Sequence, residues 1–215
     1  EQVINVGSPM FEVLSFFNDK IKNSSIVEDL ELIEKKYFLV SIHREENVDN
    51  VDNFKKIINI LNSLVDKYNF PIVFSTHPRT RKQIEDLKLK LSPKILLLKP
   101  LNFTSYNKLQ ICSKAVLSDS GTINEESSIL NFPALNLRET FERPEAMEEG
   151  AVMMTGMNIE RVMQSLEILE KQSNGTSRTL ELVKDYSKRN ISEKIPRIIL
   201  SYTDYINKFI WKKDI

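Results

Sequence analysis

Short runs of apolar residues alternate along the chain with longer segments in which apolar residues recur every three or four positions. The short runs predict β-strands, because each is nearly continuously apolar and only a few residues long. Strands that are buried on both faces have this pattern, which is typical of a parallel sheet. The predicted strands are residues 37–42, 72–76, 95–98, 115–118, 134–137 and 151–154.

The segments between these strands have the periodicity of helices. Between the first two strands, the apolar residues of segment 51–68 form one stripe on a helix. The other predicted helices are residues 79–91, 103–113, 123–130 and 159–171. This regular alternation predicts an α/β fold with a doubly wound parallel sheet and right-handed crossovers, in one continuous domain.

The two ends of the chain depart from this alternation. We interpret residues 3–6, which are followed by the turn residues 7–9, as the end of a strand that leads into a helix. No strand is expected after Met154. Residues 195–211 form a predicted helix with one broad apolar face, and such a face requires a partner to cover it.

Composition excludes some classes of partner. The 30 Lys and Arg residues balance the 30 Asp and Glu residues, so no net field favours nucleic acid or a membrane surface as a partner. The apolar runs are too short to span a bilayer and the start of the chain has no positively charged leader, so a cytoplasmic protein is expected. The single cysteine, Cys112, has apolar neighbours and is predicted to be a small buried hydrophobe rather than a nucleophile.

Polar residues follow the carboxyl ends of five consecutive predicted strands. Ligands of open α/β sheets bind outside these ends, because the loops there gather beside helix N-termini. We therefore expect the five polar segments to line one crevice. They are residues 43–47, 77–79, 99–102, 119–122 and 138–144.

Residues 118–126 combine a strand end, a tight turn and the start of a helix. Gly121 permits close approach to the backbone, and the free amides of the helix start, together with the helix dipole, favour an anion such as phosphate. The alternative is a capping box between Thr122 and Glu125, which needs no ligand. The sequence leaves both interpretations open.

The two histidines of the chain, His43 and His77, both follow predicted strands. A histidine beside a departing phosphate could donate a hydrogen bond or a proton to it, although either residue could instead be structural. Glu45 and Glu46 lie nearby, but no HxH or HExxH spacing places both imidazoles on one element. We therefore predict neither a metal site nor a cofactor.

Two arginines and one tyrosine complete the candidate site residues. Arg138 and Arg143 flank a loop in which a guanidinium could clamp a phosphate, or could form a surface ion pair with Glu139 or Glu142. Tyr106 could offer its ring to a nucleobase, or could simply pack against the core.

Five segments taken together, residues 43–47, 76–78, 100–106, 118–126 and 142–146, have a familiar order and spacing. They resemble the C-terminal half of the UDP-N-acetylglucosamine 2-epimerases, and the resemblance spans residues 1–160. It implies a fold like that of GT-B glycosyltransferases, which have two Rossmann-like domains with the nucleotide sugar between them. This chain would be the second domain.

The resemblance also implies an organisation for the chain. Residues 1–190 would form the nucleotide-binding domain, with residues 1–10 as a remnant of the interdomain hinge. Residues 191–215 would form a helix that packs on an absent N-terminal domain. A homodimer is a further expectation from the family.

Roles in binding a UDP-sugar follow from the same resemblance. His43 would be the catalytic residue and would face the phosphates together with Arg143. Glu126 would bind the ribose, Tyr106 would lie against uracil, and Ser120 with Gly121 would hold the diphosphate. The remaining predicted UDP ligands are Arg44, His77 and Thr122.

The family reaction removes the proton at C-2 while UDP leaves C-1, which gives an enzyme-bound 2-acetamidoglucal, and UDP then adds back after protonation on the opposite face. The carboxylates expected to act at C-2 belong to the first domain. Two alternatives stay open: the donor domain of a GT-B glycosyltransferase, and a nucleotide-sugar-binding module without catalysis.

The sequence departs from the common family pattern at several positions, which are Glu45, Phe103, Tyr106, Thr122 and Asn124. Together with residues 126–133, these departures resemble the branch that forms UDP-N-acetyl-L-fucosamine for capsule or O-antigen. In that branch the sugar is a UDP-2-acetamido-2,6-dideoxyhexose.

Overall fold

The computed structural model describes residues 3–140 and 142–213. Residues 1 and 2 of the predicted hinge remnant, Phe141 of the arginine-flanked loop and residues 214 and 215 of the predicted terminal segment lie outside the described residues. The described strands form one sheet of six parallel strands in the order β3-β2-β1-β4-β5-β6. This is the strand order of the dinucleotide-binding Rossmann fold, and it confirms the predicted doubly wound sheet.

All six predicted strands are present, and four of them are shorter than the apolar runs that predicted them. The strands are β1 Phe38–Ser41, β2 Ile72–Ser75, β3 Ile95–Leu98, β4 Ala115–Ser118, β5 Ala134–Asn136 and β6 Met153–Met154. In β1, Phe38 pairs with Ile72 on one side and with Ala115 on the other. Three successive residues of this strand are fully buried, as expected for a strand that is covered on both faces. At the sheet edge, β6 keeps only the two residues that pair with β5.

Ten α-helices connect and cover the strands in the described part of the chain. They are α1 Met10–Lys22, α2 Ile26–Asp29, α3 Glu45–Val48, α4 Val51–Tyr68, α5 Pro78–Asp86, α6 Phe103–Cys112, α7 Ile123–Leu130, α8 Pro144–Glu148, α9 Ile159–Leu169 and α10 Ile191–Tyr205. The prediction that α5 continues to residue 91 is wrong. The helix ends at Asp86, and Lys88 adopts φ 49, a left-handed conformation that an α-helix cannot continue through.

Two apolar clusters cover the two faces of the sheet. On one face α4 buries its predicted stripe, with Phe54, Ile57 and Leu61 fully enclosed. The N-cap of this helix is Asn50, whose side chain accepts hydrogen bonds from two amides of the first turn. On the other face Cys112 lies in the second cluster and is buried, and this desolvation raises the pKa of its thiol to about 11. The prediction that Cys112 is a small buried hydrophobe is confirmed.

The first described residues do not form the strand end that we predicted. The side chain of Asn5 accepts a hydrogen bond from the amide of Gly7 at 2.9 Å, which makes a local turn instead of a sheet ladder. Gly7 has φ 86, and a Cβ at this position would lie 2.7 Å from the carbonyl oxygen of Asp185. The amide of Ser8 donates to the same carbonyl. The segment therefore packs against the later part of the chain rather than against a strand.

The predicted terminal helix is present and begins four residues earlier than its pattern indicated. It is α10, which continues into a π-helical turn at Ile206–Ile210. Its first turn is anchored, because Ile191 is fully buried and the amide of Ser192 donates to Glu12. Farther along, the apolar face is open, with Ile199 57% and Phe209 60% exposed. None of the helices in the described ranges is long and apolar enough to cross a membrane.

Candidate functional site

The carboxylate of Asp119 organises the crevice at the carboxyl end of β4. Asp119 follows β4 directly and is fully buried. Its oxygens accept hydrogen bonds from the amides of His43 at 3.2 Å and Arg44 at 3.0 Å, and from the side chain of Asn47 at 3.0 Å. Asp119 therefore joins the loop after β1, with the short helix α3, to the turn after β4. It lies in the predicted turn 119–122 but was not among the predicted ligands.

The two histidines lie at the same edge of the sheet in different surroundings. The Nδ1 atom of His43 is 3.2 Å from the carboxylate of Asp119, and its side chain is 53% exposed. His77 is the N-cap of α5, where its Nδ1 accepts a hydrogen bond from the amide of Arg79 at 3.4 Å. Among the described residues, the imidazole of His77 has no hydrogen bond or ion pair with another predicted ligand. Its place in the ligand set stays a prediction.

Two arginines hold the carboxylate of Glu142 over the crevice. Arg44 donates to the carbonyl of Asp119 at 2.9 Å and to both oxygens of Glu142 at 3.3 and 3.0 Å. Arg138 donates to Glu142 at 2.7 Å and to Thr140 at 2.9 Å. Arg138 is only 3% exposed, and its Nε lies 3.7 Å from the carboxylate of Glu46 without a hydrogen-bond partner among the described residues. The ion-pair interpretation of Arg138 is confirmed, with Glu142 as the partner.

Glu142→Gln is expected to flatten the pH dependence of unfolding in acid. The guanidinium of Arg138, followed by that of Arg44, lowers the pKa of Glu142 from 4.5 to about 2. The ion pair therefore stabilises the fold above pH 4.5, and this contribution is lost as the pH falls toward 2, because the unfolded chain takes up the proton first. Between pH 4.5 and about 2, the wild-type chain should take up about one more proton on unfolding than the Glu142→Gln variant does.

Urea unfolding across a series of acidic pH values measures this effect. Glu139→Gln is the matched control, since it makes the same charge change in the same loop and leaves the ion pair of Glu142 intact. An equal flattening in both variants would contradict the assignment of the effect to the two arginines.

The turn after β4 is held by its own hydroxyl groups. The side chains of Ser120 and Thr122 are 2.9 Å apart, and the amide of Thr122 donates to Ser120 at 3.3 Å. The alternative interpretation of this turn as a capping box is wrong, because the side chain of Thr122 accepts no cap hydrogen bond and Glu125 turns away to another partner. A Cβ added to Gly121 would lie 3.5 Å from the carboxylate of Glu142. A carboxylate, which is an anion, therefore lies against the turn that was predicted to hold the diphosphate.

Arg143 lies on the other side of α7. Its guanidinium is 3.5 Å from Glu125 and 3.9 Å from Glu145, so the predicted alternative of a pair with Glu139 or Glu142 is wrong for this residue. The Glu125 carboxylate is buried and accepts a hydrogen bond from Ser8 at 2.5 Å. Arg143 is the N-cap residue of α8, which begins directly after it.

An open cavity of about 510 Å³ lies beside this group. Arg143, Glu125 and Glu145 line it together with the segment before α1. The cavity is thus bordered by residues from both the start of the described chain and the crevice loops.

Another group of polar side chains joins α6 to α7. The side chain of Gln110 donates to the carboxylate of Glu126 at 2.6 Å, and both side chains are buried. Burial raises the pKa of Glu126, although the hydrogen bonds from Gln110 and Thr122 oppose this shift. Tyr106 packs against the second apolar cluster, and burial raises the pKa of its hydroxyl. The packing interpretation of Tyr106 is thus observed, and its contact with a nucleobase stays a prediction.

The structure brings most of the predicted ligands to one edge of the sheet, in three neighbouring groups. The first group surrounds Asp119 and Glu142 and contains His43, Arg44, Ser120, Gly121 and Thr122. The second contains Tyr106 and Glu126, and the third contains Arg143. In the described ranges, no group of three His, Cys, Asp or Glu residues is arranged to hold a metal ion.

The strand order and the polar crevice at the carboxyl ends define the chain as a Rossmann-like α/β domain of the type found in GT-B proteins. The sequence model of the UDP-N-acetylglucosamine 2-epimerase family matches residues 1–200, and the chain belongs to this family. The predicted family is therefore confirmed.

Similar proteins agree with this assignment. The UDP-N-acetylglucosamine 2-epimerase of Methanocaldococcus jannaschii is 34% identical over 178 residues, which are 80% of this chain and 46% of that protein. The solved epimerase of Rickettsia bellii is 46% identical with a TM-score of 0.85, over 96% of this chain and 55% of that one. A crystal structure of the M. jannaschii enzyme with UDP-GlcNAc and UDP gives a TM-score of 0.79 at 29% identity, over 91% of this chain and 54% of that one.

A heptosyltransferase from E. coli, at 12% identity and a TM-score of 0.50, shares the fold alone. The chain spans about half the length of the curated relatives it matches.

Proposed function

We propose that the chain is the UDP-binding part of a nucleotide-sugar 2-epimerase, which inverts C-2 of a UDP-2-acetamido sugar by eliminating and re-adding UDP. The observation that carries the proposal is the crevice around Asp119 and Glu142, in which two arginines and the Gly121 turn meet at the carboxyl ends of the strands. Membership of the epimerase family supports it, as does the structure of the M. jannaschii relative with UDP-GlcNAc and UDP.

The crevice residues suit the departure of UDP from C-1. Negative charge develops on the diphosphate as the bond breaks, and donors fixed beforehand stabilise such charge most effectively. Arg44 and Arg138 are held in place by Glu142, and the backbone at Gly121 is accessible beside them. His43 is half exposed next to this group and would face the phosphates.

The nucleoside would occupy the neighbouring group. A carboxylate has only acceptor oxygens, so Glu126 would accept hydrogen bonds from the ribose hydroxyls. The ring of Tyr106, which lies near Glu126, would support the uracil.

The chemistry at C-2 would require a second domain of the same enzyme. The exposed apolar side of α10, with Ile199, Tyr202 and Phe209, would pack on that domain and be covered by it. This domain would also supply the carboxylates that remove and return the proton. The chain alone would therefore bind UDP without turnover.

Isothermal titration calorimetry with UDP tests the binding proposal directly. We expect the chain to bind UDP with a Kd below about 1 mM, and ADP more weakly because its larger base does not fit a uracil site. A folded chain that does not bind UDP at millimolar concentration would contradict the proposal.

Deuterium incorporation tests the reaction. The chain, combined with the N-terminal domain of the enzyme, is incubated with a UDP-2-acetamido sugar in deuterated water. Deuterium at C-2 supports an epimerase, whereas transfer of the sugar without deuterium would support a glycosyltransferase.

A narrower proposal concerns the sugar. The departures from the common family pattern at Glu45, Thr122 and Asn124 favour a 6-deoxy substrate on the route to UDP-N-acetyl-L-fucosamine. Parallel assays with UDP-N-acetylglucosamine and its 6-deoxy analogues decide this point by comparing kcat/KM.

A further inference from the structure

Asp119 is a buried carboxylate whose hydrogen-bond donors, among the described residues, belong to the segment of the loop after β1 and the short helix α3. An isolated carboxylate in an apolar interior is very costly, so a fully buried one persists where donors surround it. Asp119 receives the amides of His43 and Arg44 and the side-chain amide of Asn47, at 3.0 to 3.2 Å. These three donors hold the carboxylate in one orientation, and one of its oxygens also lies 3.2 Å from the imidazole of His43.

This contact selects one form of the His43 ring. A neutral imidazole has one nitrogen that donates and one that accepts, and an ionised carboxylate can only accept. A lone pair on Nδ1 would face the negative oxygen of Asp119, whereas an N–H at the same atom is attracted to it. The hydrogen therefore belongs on Nδ1, which leaves Nε2 as the free nitrogen of a side chain that is half exposed.

The second histidine provides the opposite case. Nδ1 of His77 accepts a hydrogen bond from the amide of Arg79, so in the neutral ring the hydrogen belongs on Nε2. The chain has two histidines, and their surroundings predict two different tautomers. His77 is thus an internal reference for His43.

We propose that Asp119 is a positioning residue, which fixes His43 with the hydrogen on Nδ1 so that Nε2 is presented to the phosphates of the bound nucleotide. The proposal rests on the proposed function for the identity of the ligand, and on the contacts of Asp119 alone for the state of His43. Nε2 can donate to a phosphate oxygen only when it carries a hydrogen, and in that form of the ring the N–H at Nδ1 still faces the carboxylate of Asp119. The same arrangement, in which a carboxylate orients a working histidine, recurs in metal sites and catalytic triads.

Long-range 1H–15N correlation spectra of the 15N-labelled chain test the tautomers. Two sets of ring signals are expected, and a His77→Asn variant assigns them. We expect His43 to be protonated on Nδ1 and His77 on Nε2 at a pH where both rings are neutral. If His43 in the wild-type chain is protonated on Nε2, the proposal is overturned.

Asp119→Asn tests the cause. An amide offers one acceptor oxygen and one NH2 group, and this NH2 group would oppose the donors that now face the carboxylate. We expect His43 to populate both tautomers, the His77 signals to stay unchanged, and the affinity for UDP to fall by about tenfold, which equals about 1.4 kcal/mol. An unchanged His43 tautomer together with unchanged UDP affinity would overturn the proposal.

Asn47→Ala separates positioning from general stability. It removes one donor from the same carboxylate, so it should lower the midpoint of urea unfolding while His43 keeps its tautomer. A mixed tautomer in this variant would mean that stability of the loop, not the charge of Asp119, sets the ring. If the tautomers are as expected but the wild-type chain does not bind UDP, the positioning of His43 stands and the proposed function fails.

Discussion

Glu126→Gln is expected to increase the stability of the chain and to weaken its binding of UDP. Burial raises the pKa of Glu126, because the charged form of this side chain is less favourable in the fold than in water. Glutamine keeps an oxygen that can accept the hydrogen bond from Gln110 but carries no charge. The free energy of unfolding at pH 7 should rise by roughly 1 kcal/mol. With one acceptor oxygen instead of two, the affinity for UDP should fall by about tenfold.

The sign of the stability effect depends on pH in a defined way. Because the folded-state pKa of Glu126 is raised, the cost of its charge appears as the pH rises above 4.5 and vanishes in acid, where the carboxyl is protonated in both states. Urea unfolding at neutral and acidic pH, with calorimetry for UDP, measures both effects. The exposed Glu85 of α5 provides the control variant, Glu85→Gln, which should change neither. A loss of stability at pH 7 in Glu126→Gln would contradict the expectation.

Gly121→Ala is expected to leave the fold nearly unchanged and to weaken UDP binding by about 10- to 100-fold, or about 1.4 to 2.8 kcal/mol. A Cβ at this position would lie 3.5 Å from the carboxylate of Glu142 and 4.0 Å from the guanidinium of Arg44. These are ordinary contact distances to the ends of flexible side chains, so the methyl group fits the free chain. A diphosphate that approaches the backbone of the turn would meet the same methyl group.

Thermal unfolding and calorimetry separate these two effects. A melting temperature close to that of the wild-type chain, combined with weakened UDP binding, is the expected pair of results. If Gly121→Ala binds UDP as tightly as the wild-type chain, the diphosphate does not contact this turn. Calorimetric titration of the wild-type chain with inorganic pyrophosphate then measures whether the chain has another binding site for a diphosphate.

The sheet and most of its helices could be predicted from the sequence. A strand that is buried on both faces is a continuous apolar run, and a helix that covers the sheet has one apolar stripe. The strand that contains Phe38 and the stripe that contains Phe54 are examples. Helix ends were less predictable. Just after α5, Lys88 adopts a left-handed backbone conformation that ends the predicted helix. Lysine is not a residue type that predicts this conformation.

The site was predicted as a set of residues, but not as a set of contacts. Polar residues after parallel strands must meet at one edge of the sheet, which is why the candidates could be chosen. Which charge pairs with which depends on loop paths that the sequence does not display. Arg138 therefore pairs with Glu142, while Arg143, five residues later, turns to Glu125 on α7. The central role of Asp119 has the same origin, since its donors lie more than 70 residues earlier in the chain.

The pairing of Arg44 and Arg138 with Glu142 also bears on how a nucleotide reaches the crevice. Glu142 offsets one of the two positive charges, the carboxylate of Glu46 lies 3.7 Å from Nε of Arg138, and the chain as a whole has a formal net charge of zero. The electrostatic potential that such a surface produces in solvent is small, so long-range steering of an anionic ligand toward the crevice would be weak. Under the proposed function, encounter would then be governed by diffusion, and selectivity would arise only after contact, when the phosphates of UDP replace the carboxylate of Glu142.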